Sequence, residues 1–160
     1  MKNINISFDL EGLGQTKKLA ENLADILSVG DSVLLSGNLG AGKTTFSQFL
    51  INALSKTKVE VVSPTFTLVQ NYDTEQGEVN HLDLYRLEHE SDLIELGWDE
   101  MVQNSITLVE WPDRLGRFLP ENRLEITLNF GTKEDYRQVN IEAIGSAWQS
   151  RITQIQGCKI

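Results

Sequence analysis

Cysteine, long apolar runs and basic residues are all scarce in this sequence of 160 residues. Its one cysteine, Cys158, can close no disulfide within the chain, which fits a reducing compartment. No run of about eighteen apolar residues is present. The first residues, MKNINISFDLEG, alternate polar and apolar side chains and do not form a signal peptide. We therefore expect a cytoplasmic protein without a membrane span.

Positive charge is in short supply, with 14 lysines and arginines against 23 aspartates and glutamates. A protein that grips the nucleic-acid backbone needs a basic face, because its cations replace the counterions of the phosphates. The formal net charge of -9 therefore argues against direct binding of nucleic acid.

The chain has the length of one ordinary domain, and 40% of its residues are hydrophobic, which is enough to bury a core. Internal repeats and low-complexity segments are missing as well. We expect one domain over residues 1–145, followed by a C-terminal tail, 146–160, that is weakly helical and prone to fray.

A glycine-rich motif stands between a predicted strand and a predicted helix. The pattern G-x-x-x-x-G-K-[ST] of a P-loop is complete in Gly37, Asn38, Leu39, Gly40, Ala41, Gly42, Lys43 and Thr44. The glycines let successive backbone N–H groups face one anion, Lys43 reaches the outer phosphates, and the Thr44 hydroxyl ligates Mg²⁺. These eight residues and Thr45 form the predicted nucleotide-binding loop.

Apolar periodicity places this loop within an α/β architecture. Strands are predicted at residues 4–8, 33–35, 59–62 and 106–111, and helices at 16–28, 44–55 and 91–97, the last with Ser91 as its N-cap. Two hairpins are predicted, one from 67–72 and 79–85, the other from 124–130 and 139–143. We expect a P-loop NTPase fold with a mixed, mostly parallel sheet, antiparallel edge hairpins and helices on its faces.

Hydrolysis of a nucleotide also needs a carboxylate for the metal and a group that orients water. Asp83 and Glu110 stand where predicted strands end, and ligands of open α/β sheets bind at the carboxyl ends of strands. Either carboxylate could instead cap a turn. Thr65, in Ser63-Pro64-Thr65, could likewise sense the γ-phosphate or belong to a rigid corner.

Four motifs follow one another along the chain. They are Gly-Asn-Leu-Gly-Ala-Gly-Lys-Thr-Thr at 37–45, Ser-Pro-Thr-Phe-Thr-Leu-Val at 63–69, His-Leu-Asp-Leu-Tyr-Arg at 81–86 and Leu-Val-Glu-Trp-Pro at 108–112. In this order they resemble the motifs of the TsaE family. The resemblance covers residues 10–145, and the four motifs together are far more specific than a P-loop alone.

The resemblance implies a bacterial ATPase that supports threonylcarbamoyladenosine synthesis on tRNA by acting on the TsaD–TsaB heterodimer, which makes the transfer. It implies ATP and Mg²⁺ as cofactors, slow turnover without partners, and acidic positions that match Asp83 and Glu110. We therefore predict Lys43, Asp83, Glu110 and Thr65 as catalytic residues and Thr44, Asp83 and Glu110 as metal ligands. The segment that follows Trp111, residues 112–116, is variable in this family, and the segment beyond Gly145 carries no motif that the resemblance explains.

A guanine-reading motif offers an alternative base specificity. The pattern [N/T]-K-x-D of GTP-binding proteins is met by Thr132, Lys133, Glu134 and Asp135. These residues fall in the turn of a predicted hairpin, where polar side chains are expected anyway. We predict ATP and assign Lys133 to a contact with adenine, and a GTP-binding switch protein stays an alternative.

Two further alternatives concern the kind of activity. A small-molecule kinase would need a lid, and no arginine-rich insertion provides one. A nucleotide-dependent interaction module would turn over little by itself. Arg86 and Arg114 could stabilise charge in the site or pair with surface carboxylates, and pairing is favoured for Arg114. His81 and Trp111 are more typical of packed residues and stay outside the predicted catalytic set.

Overall fold

The structure is a computed structural model that describes residues 3–55, 57–158 and 160. Met1, Lys2, Lys56 and Lys159, which fall within the predicted domain and tail, lie outside the described residues. The described chain forms one sheet of seven strands: β1 (Ile4–Glu11), β2 (Ser32–Ser36), β3 (Val69–Thr74), β4 (Gly77–Asp83), β5 (Ile106–Glu110), β6 (Arg123–Phe130) and β7 (Tyr136–Ile144). The helices are α1 (Leu13–Ala24), α2 (Lys43–Leu54), α3 (Asp92–Glu95), α4 (Trp98–Asn104) and α5 (Thr153–Gln156), with 3-10 helices at Pro112–Phe118 and Ser146–Trp148. In this described part, no helix has the length and apolar character needed to cross a bilayer.

The sheet is parallel at its centre and antiparallel at both edges, in the order β1-β7-β6-β2-β5-β4-β3. β2 pairs in parallel with β5 and β6, and β4 pairs in parallel with β5. β3 pairs antiparallel with β4, and β7 pairs antiparallel with β1 and β6. The predicted mixed sheet with antiparallel edge hairpins is confirmed.

Both faces of the central strands are covered, as the continuous apolar run in β2 requires. Val33 and Leu35 pack into a core under α1 and α2, whereas Leu34 joins a second core that includes Trp98 of α4. Phe46 of α2 is fully buried in the first core. Because truncating such a side chain costs about 3–5 kcal/mol, α2 is held firmly against the strand that precedes it.

Residues 59–62, which the apolar pattern predicts as a strand, do not form one in the described chain. Side chains take up their backbone groups instead. The Val59 N–H donates to Asn52 Oδ1 at 2.7 Å, and the Val62 N–H donates to the Tyr72 hydroxyl at 3.0 Å. This prediction is wrong because bonds from α2 and β3, rather than a strand ladder, satisfy the segment.

Several predicted boundaries also shift for local reasons. β3 begins at Val69 and not at residue 67, because Leu68 has a positive φ of 66° that a strand does not accommodate. α1 covers Leu13–Ala24 instead of 16–28 and ends in tight turns, with the Ile26 N–H donating to the Leu23 carbonyl. Ser91 occupies the predicted N-cap position of α3, but its side chain makes no capping hydrogen bond among the described residues.

The segment after Gly145 is packed against the domain rather than frayed. Trp148, Ile152 and Ile155 are buried in the core beneath α1. Arg151 donates to both carboxylate oxygens of Asp31, at 2.6 and 2.8 Å. Apolar burial and this bidentate ion pair fix a segment whose local helix signal is weak.

Candidate functional site

The carboxyl ends of three adjacent parallel strands bring the predicted residues to one edge of the sheet. Leu35 of β2 lies opposite Glu110 of β5, and Glu110 lies opposite Asp83 of β4. The loop 37–42 leaves β2 at the same edge and leads directly into α2. Open α/β sheets bind their ligands at this edge.

Glycines give the loop 37–42 a path that other residues would not follow. Gly37 has a φ of 148°, and a Cβ at that position would collide with the carbonyl oxygen of Leu128. Gly42, with a φ of 106°, is the N-cap residue of α2 and offers no side chain to its first N–H groups. The first turn of this described helix also contains no acidic residue. These backbone donors and the helix dipole suit an anion.

Lys43 folds back onto the loop. Its Nζ donates to the carbonyl oxygens of Gly37 at 2.6 Å and Asn38 at 3.1 Å, and it lies 4.4 Å from the ring centroid of Trp111. Burial lowers the pKa of Lys43 below its ordinary value, whereas two nearby carboxylates act to raise it. An anion placed at the loop would add to the stabilisation of the buried ammonium group.

Glu110 is 1% exposed, and both of its carboxylate oxygens have partners. The Thr44 hydroxyl, from the first turn of α2, donates to Oε1 at 3.0 Å. His81 Nε2, from the neighbouring strand β4, lies 2.6 Å from Oε2. His81 is therefore in direct contact with a predicted catalytic carboxylate, although its sequence pattern favoured a packing role.

Asp83 is 6% exposed and has different partners. The Thr65 hydroxyl donates to Oδ2 at 3.1 Å, and the backbone N–H of Tyr85 donates to Oδ1 at 3.0 Å. The Ser63 hydroxyl lies 2.8 Å from that of Thr65. Through these bonds, the irregular segment 63–66 is tied to the end of β4.

The oxygen donors at this edge fit a magnesium ion. In nucleotide sites Mg²⁺ is usually bound through one or two carboxylates together with phosphate oxygens and water. The Thr44 hydroxyl donates its hydrogen to Glu110 and keeps its lone pairs for a cation. Among the described residues, no cluster of three or more His, Cys, Asp or Glu side chains could hold a metal alone. The donor set therefore suits an ion whose shell phosphate and water would complete.

A cavity of about 330 Å³ lies in front of these groups. Its lining includes most of the predicted residues, namely Leu39, Gly40, Gly42, Lys43, Thr44, Thr45, Thr65, Asp83 and Glu110. Within the described chain, Gly37, Asn38 and Ala41 belong to the loop but not to the lining. Lys133 is not part of the lining either, and its Nζ lies 5.2 Å from the ring centroid of Tyr136. A cavity of about 690 Å³ beside α1, α2 and residues 57–61 contacts none of the predicted groups.

Arg137 also contacts the loop 37–42. It belongs to β7, which lies on the opposite side of β2 from β5 and β4 in the sheet. Its Nε donates to the Ala41 carbonyl at 2.7 Å, and its Nη1 donates to the carbonyls of Glu134 at 2.7 Å and Tyr136 at 2.8 Å. No sequence motif singled out this arginine. Because β6 runs parallel to β2, the turn between β6 and β7 lies at the edge that carries the loop. The parallel pairing of β6 with β2 is the feature that would have predicted a contact between this turn and the loop 37–42.

Of the two arginines considered from the sequence, Arg86 lies at the cavity. It is part of the lining, with its guanidinium 4.6 Å from the ring centroid of Phe66. Arg114 Nε lies 3.9 Å from an oxygen of the exposed Asp113 carboxylate, in line with the surface pairing favoured for it. Tyr85, which the sequence did not single out, also lines the cavity.

Known proteins of one family resemble this chain over most of its length. The family model described as threonylcarbamoyl adenosine biosynthesis protein TsaE matches residues 10–139. A Rickettsia bellii protein named tRNA threonylcarbamoyladenosine biosynthesis protein TsaE is 35% identical over 141 residues, which are 88% of this chain and 97% of that protein. A Bacillus subtilis protein of the same name is 36% identical over 136 residues, 84% of each chain.

A solved structure shows the same architecture. The crystal structure of Bacillus subtilis YdiB matches with a TM-score of 0.81 and 27% identity, covering 98% of this chain and 97% of that one. With its mixed sheet and its glycine-rich loop between β2 and α2, the chain has a P-loop NTPase-like fold. It belongs to the TsaE family, whose model is described as a threonylcarbamoyl adenosine biosynthesis protein.

Proposed function

We propose that this protein is a Mg²⁺-dependent ATP hydrolase that supports threonylcarbamoyladenosine modification of tRNA by acting on the TsaD–TsaB transferase. The observation that carries the proposal is the convergence of Lys43, Thr44, Asp83 and Glu110 on one cavity at the carboxyl edge of the parallel strands. Family membership supports the biological setting.

Each residue has a role that its contacts support. Lys43 and the N–H groups of the loop would bind the outer phosphates. Thr44 and Glu110 would hold Mg²⁺, which would supply positive charge to stabilise the negative charge on the phosphates. Asp83 would orient the attacking water. Its hydrogen bond from Thr65 would connect this role to segment 63–66. Both carboxylates are predicted metal ligands, but the contact with Thr44 favours Glu110.

A partner protein fits the surface around the cavity. Leu39 and Phe66 are each 83% exposed. Leu39 lines the cavity, and Phe66 packs against Arg86, which also lines it. Exposed apolar side chains at one place favour contact with another protein. The net charge of -9 favours reaching tRNA chemistry through such a partner rather than by binding tRNA directly. A cytoplasmic location is part of this proposal.

Nucleotide specificity is tested by isothermal titration with ATP and GTP, each with Mg²⁺, together with melting curves. We expect Mg-ATP to bind more tightly and to raise the melting temperature, because a ligand of the folded state stabilises it by mass action. Tighter binding of GTP would replace ATP by the guanine alternative centred on residues 132–135.

The role of the partner is tested by measuring ATP hydrolysis and capture with TsaD–TsaB, with and without nucleotide. We expect capture to require ATP and hydrolysis to rise in the presence of TsaD–TsaB. Capture without increased turnover would favour a nucleotide-dependent interaction module. If TsaD–TsaB is not captured in any nucleotide state, the proposed partner is wrong.

A further inference from the structure

His81 is a buried ionisable side chain that the roles above do not use. Its relative exposure is 0%, and its Nε2 lies 2.6 Å from Oε2 of Glu110. Within the described chain its Nδ1 is buried and has no hydrogen-bond partner. A packing position would not need a polar ring with one unpaired nitrogen. The contact with Glu110 is therefore the interaction that accounts for an imidazole at this position.

The direction of the hydrogen bonds around Glu110 follows from their chemistry. An ionised carboxylate only accepts, so Nε2 of His81 carries the hydrogen and donates it. The Thr44 hydroxyl donates to the other carboxylate oxygen. Two donors, one from β4 and one from α2, thus fix the rotation of the carboxylate. With its single hydrogen engaged, the Thr44 hydroxyl has its lone pairs free at the cavity that it lines.

We infer that His81 is a positioning residue for the magnesium site: it orients Glu110, and through Glu110 the hydroxyl of Thr44. The inference rests on the proposed function, because it concerns the cation that Thr44 and Glu110 would hold. Residues that hydrogen-bond to metal ligands commonly change metal affinity by 10–100-fold when they are replaced. His81 would act in this way without touching the ion or the nucleotide.

Two substitutions at residue 81 separate positioning from packing. In His81→Gln the amide nitrogen reaches about as far as Nε2 did and can still donate to Glu110. In His81→Asn the amide nitrogen reaches about as far as Nδ1 and falls short of the carboxylate. His89→Gln is the matched control, because His89 is the other histidine of the chain and is exposed.

The readout is the Mg²⁺ dependence of nucleotide affinity, measured with a fluorescent ATP analogue, with melting curves of the free protein as the check of folding. We expect His81→Asn to raise the half-saturating Mg²⁺ concentration by about tenfold or more while leaving affinity in EDTA unchanged. His81→Gln and His89→Gln should keep the wild-type Mg²⁺ requirement. Equal Mg²⁺ requirements in His81→Asn and wild type would overturn the inference.

The Mg²⁺ response of the wild-type protein distinguishes a failure of the proposed function from a failure of the inference about His81. A wild-type affinity that does not respond to Mg²⁺ would overturn the proposed function and the inference together. A wild-type response that His81→Asn retains in full would overturn the inference alone.

A measurement on unmodified protein keeps the inference testable if His81→Asn does not fold. In protein with ¹⁵N-labelled histidine, the ring resonances of the two histidines are assigned by means of His89→Gln. We expect the Nε2–H resonance of His81 to shift during a Mg²⁺ titration with ADP present, with the same midpoint as nucleotide affinity. A resonance that stays unchanged while affinity responds would contradict the positioning role.

Discussion

Glu110 and Asp83 lie opposite each other at the ends of β5 and β4, but different parts of the chain hold them. Glu110 is bonded to Thr44 in α2 and contacts His81 in β4, and both belong to regular elements around the core. Asp83 is bonded to Thr65, in an irregular segment next to Phe66, which is 83% exposed.

This difference separates a fixed carboxylate from one that is linked to the surface. Moving Glu110 away from its partners would disturb α2 or the centre of the sheet. Moving segment 63–66 would change the surroundings of Asp83 at little cost to the core, since Pro64 is buried but the large apolar side chain of the segment, Phe66, is exposed. We therefore expect Glu110 to determine metal affinity and Asp83 to determine how turnover responds to the partner.

The largest effect is expected at Lys43, which lies near both carboxylates. Lys43→Ala should lower partner-stimulated hydrolysis by about 10³-fold, the upper end for a lost preorganised donor. Its fold should persist by circular dichroism, because the ammonium group faces the loop. The exposed Lys18 provides the control Lys18→Ala. If Lys43→Ala hydrolysed ATP at the wild-type rate, the loop 37–42 would have no role in the hydrolysis that we assign to Asp83 and Glu110.

Glu110→Gln tests the carboxylate that regular elements of the fold hold in place. The amide keeps the size of the side chain but loses the charge that a cation needs, so stimulated hydrolysis should fall by about 10²- to 10³-fold. The half-saturating Mg²⁺ concentration should rise as well. Steady-state hydrolysis over a range of Mg²⁺ concentrations measures both, with exposed Glu100→Gln as control. An unchanged Mg²⁺ requirement would reassign Glu110 to positioning water.

Asp83→Asn tests the side that is linked to the surface. We expect stimulated hydrolysis to fall by about 10²-fold while nucleotide affinity and the Mg²⁺ requirement stay close to wild type. The same Mg²⁺ series measures this, and Asp99→Asn, at an exposed position in α4, is the control. A raised Mg²⁺ requirement in Asp83→Asn would show that both carboxylates hold the metal and that the proposed division is wrong.

The centre of the fold and the loop could be predicted from the sequence because their signals are local. Continuous apolar runs mark β2 and β5, and the spacing of Gly42, Lys43 and Thr44 encodes the turn and its donors within a few residues. The strand predicted at 59–62 failed because its backbone bonds depend on Asn52 and Tyr72, which its own pattern does not contain.

Contacts between residues that are far apart in the chain could not be predicted from the sequence. His81 meets Glu110 because β4 and β5 pair in one register, and the two residues are 29 positions apart. Arg137 meets Ala41 across 96 positions. The docking of Trp148 likewise depends on apolar surface that other elements provide. A single sequence shows these side chains but not the pairing that brings them together.

The smallest effect, and the sharpest test of the link to the surface, is expected at Thr65. Thr65→Val keeps the shape of the side chain and removes the hydroxyl that donates to Asp83. A hydrogen bond to a charged group contributes about 1.5–3 kcal/mol, and about 1.4 kcal/mol corresponds to a tenfold rate change. Because Thr65 is only half-buried, water can replace part of this bond. Stimulated hydrolysis should therefore fall by about tenfold.

Two neighbouring variants show whether that loss comes from the bond to Asp83. Thr65→Ser retains the hydroxyl and should keep most of the stimulated activity. Thr67→Val removes a hydroxyl two residues away that accepts from Gln70, and it should match wild type. In all three variants the Mg²⁺ requirement should stay unchanged, because the partners of Glu110 are untouched. A Thr65→Val protein that hydrolyses ATP like wild type would leave Asp83 to act without segment 63–66. A raised Mg²⁺ requirement would instead join Thr65 to the metal site, and the two carboxylates would no longer differ in what holds them.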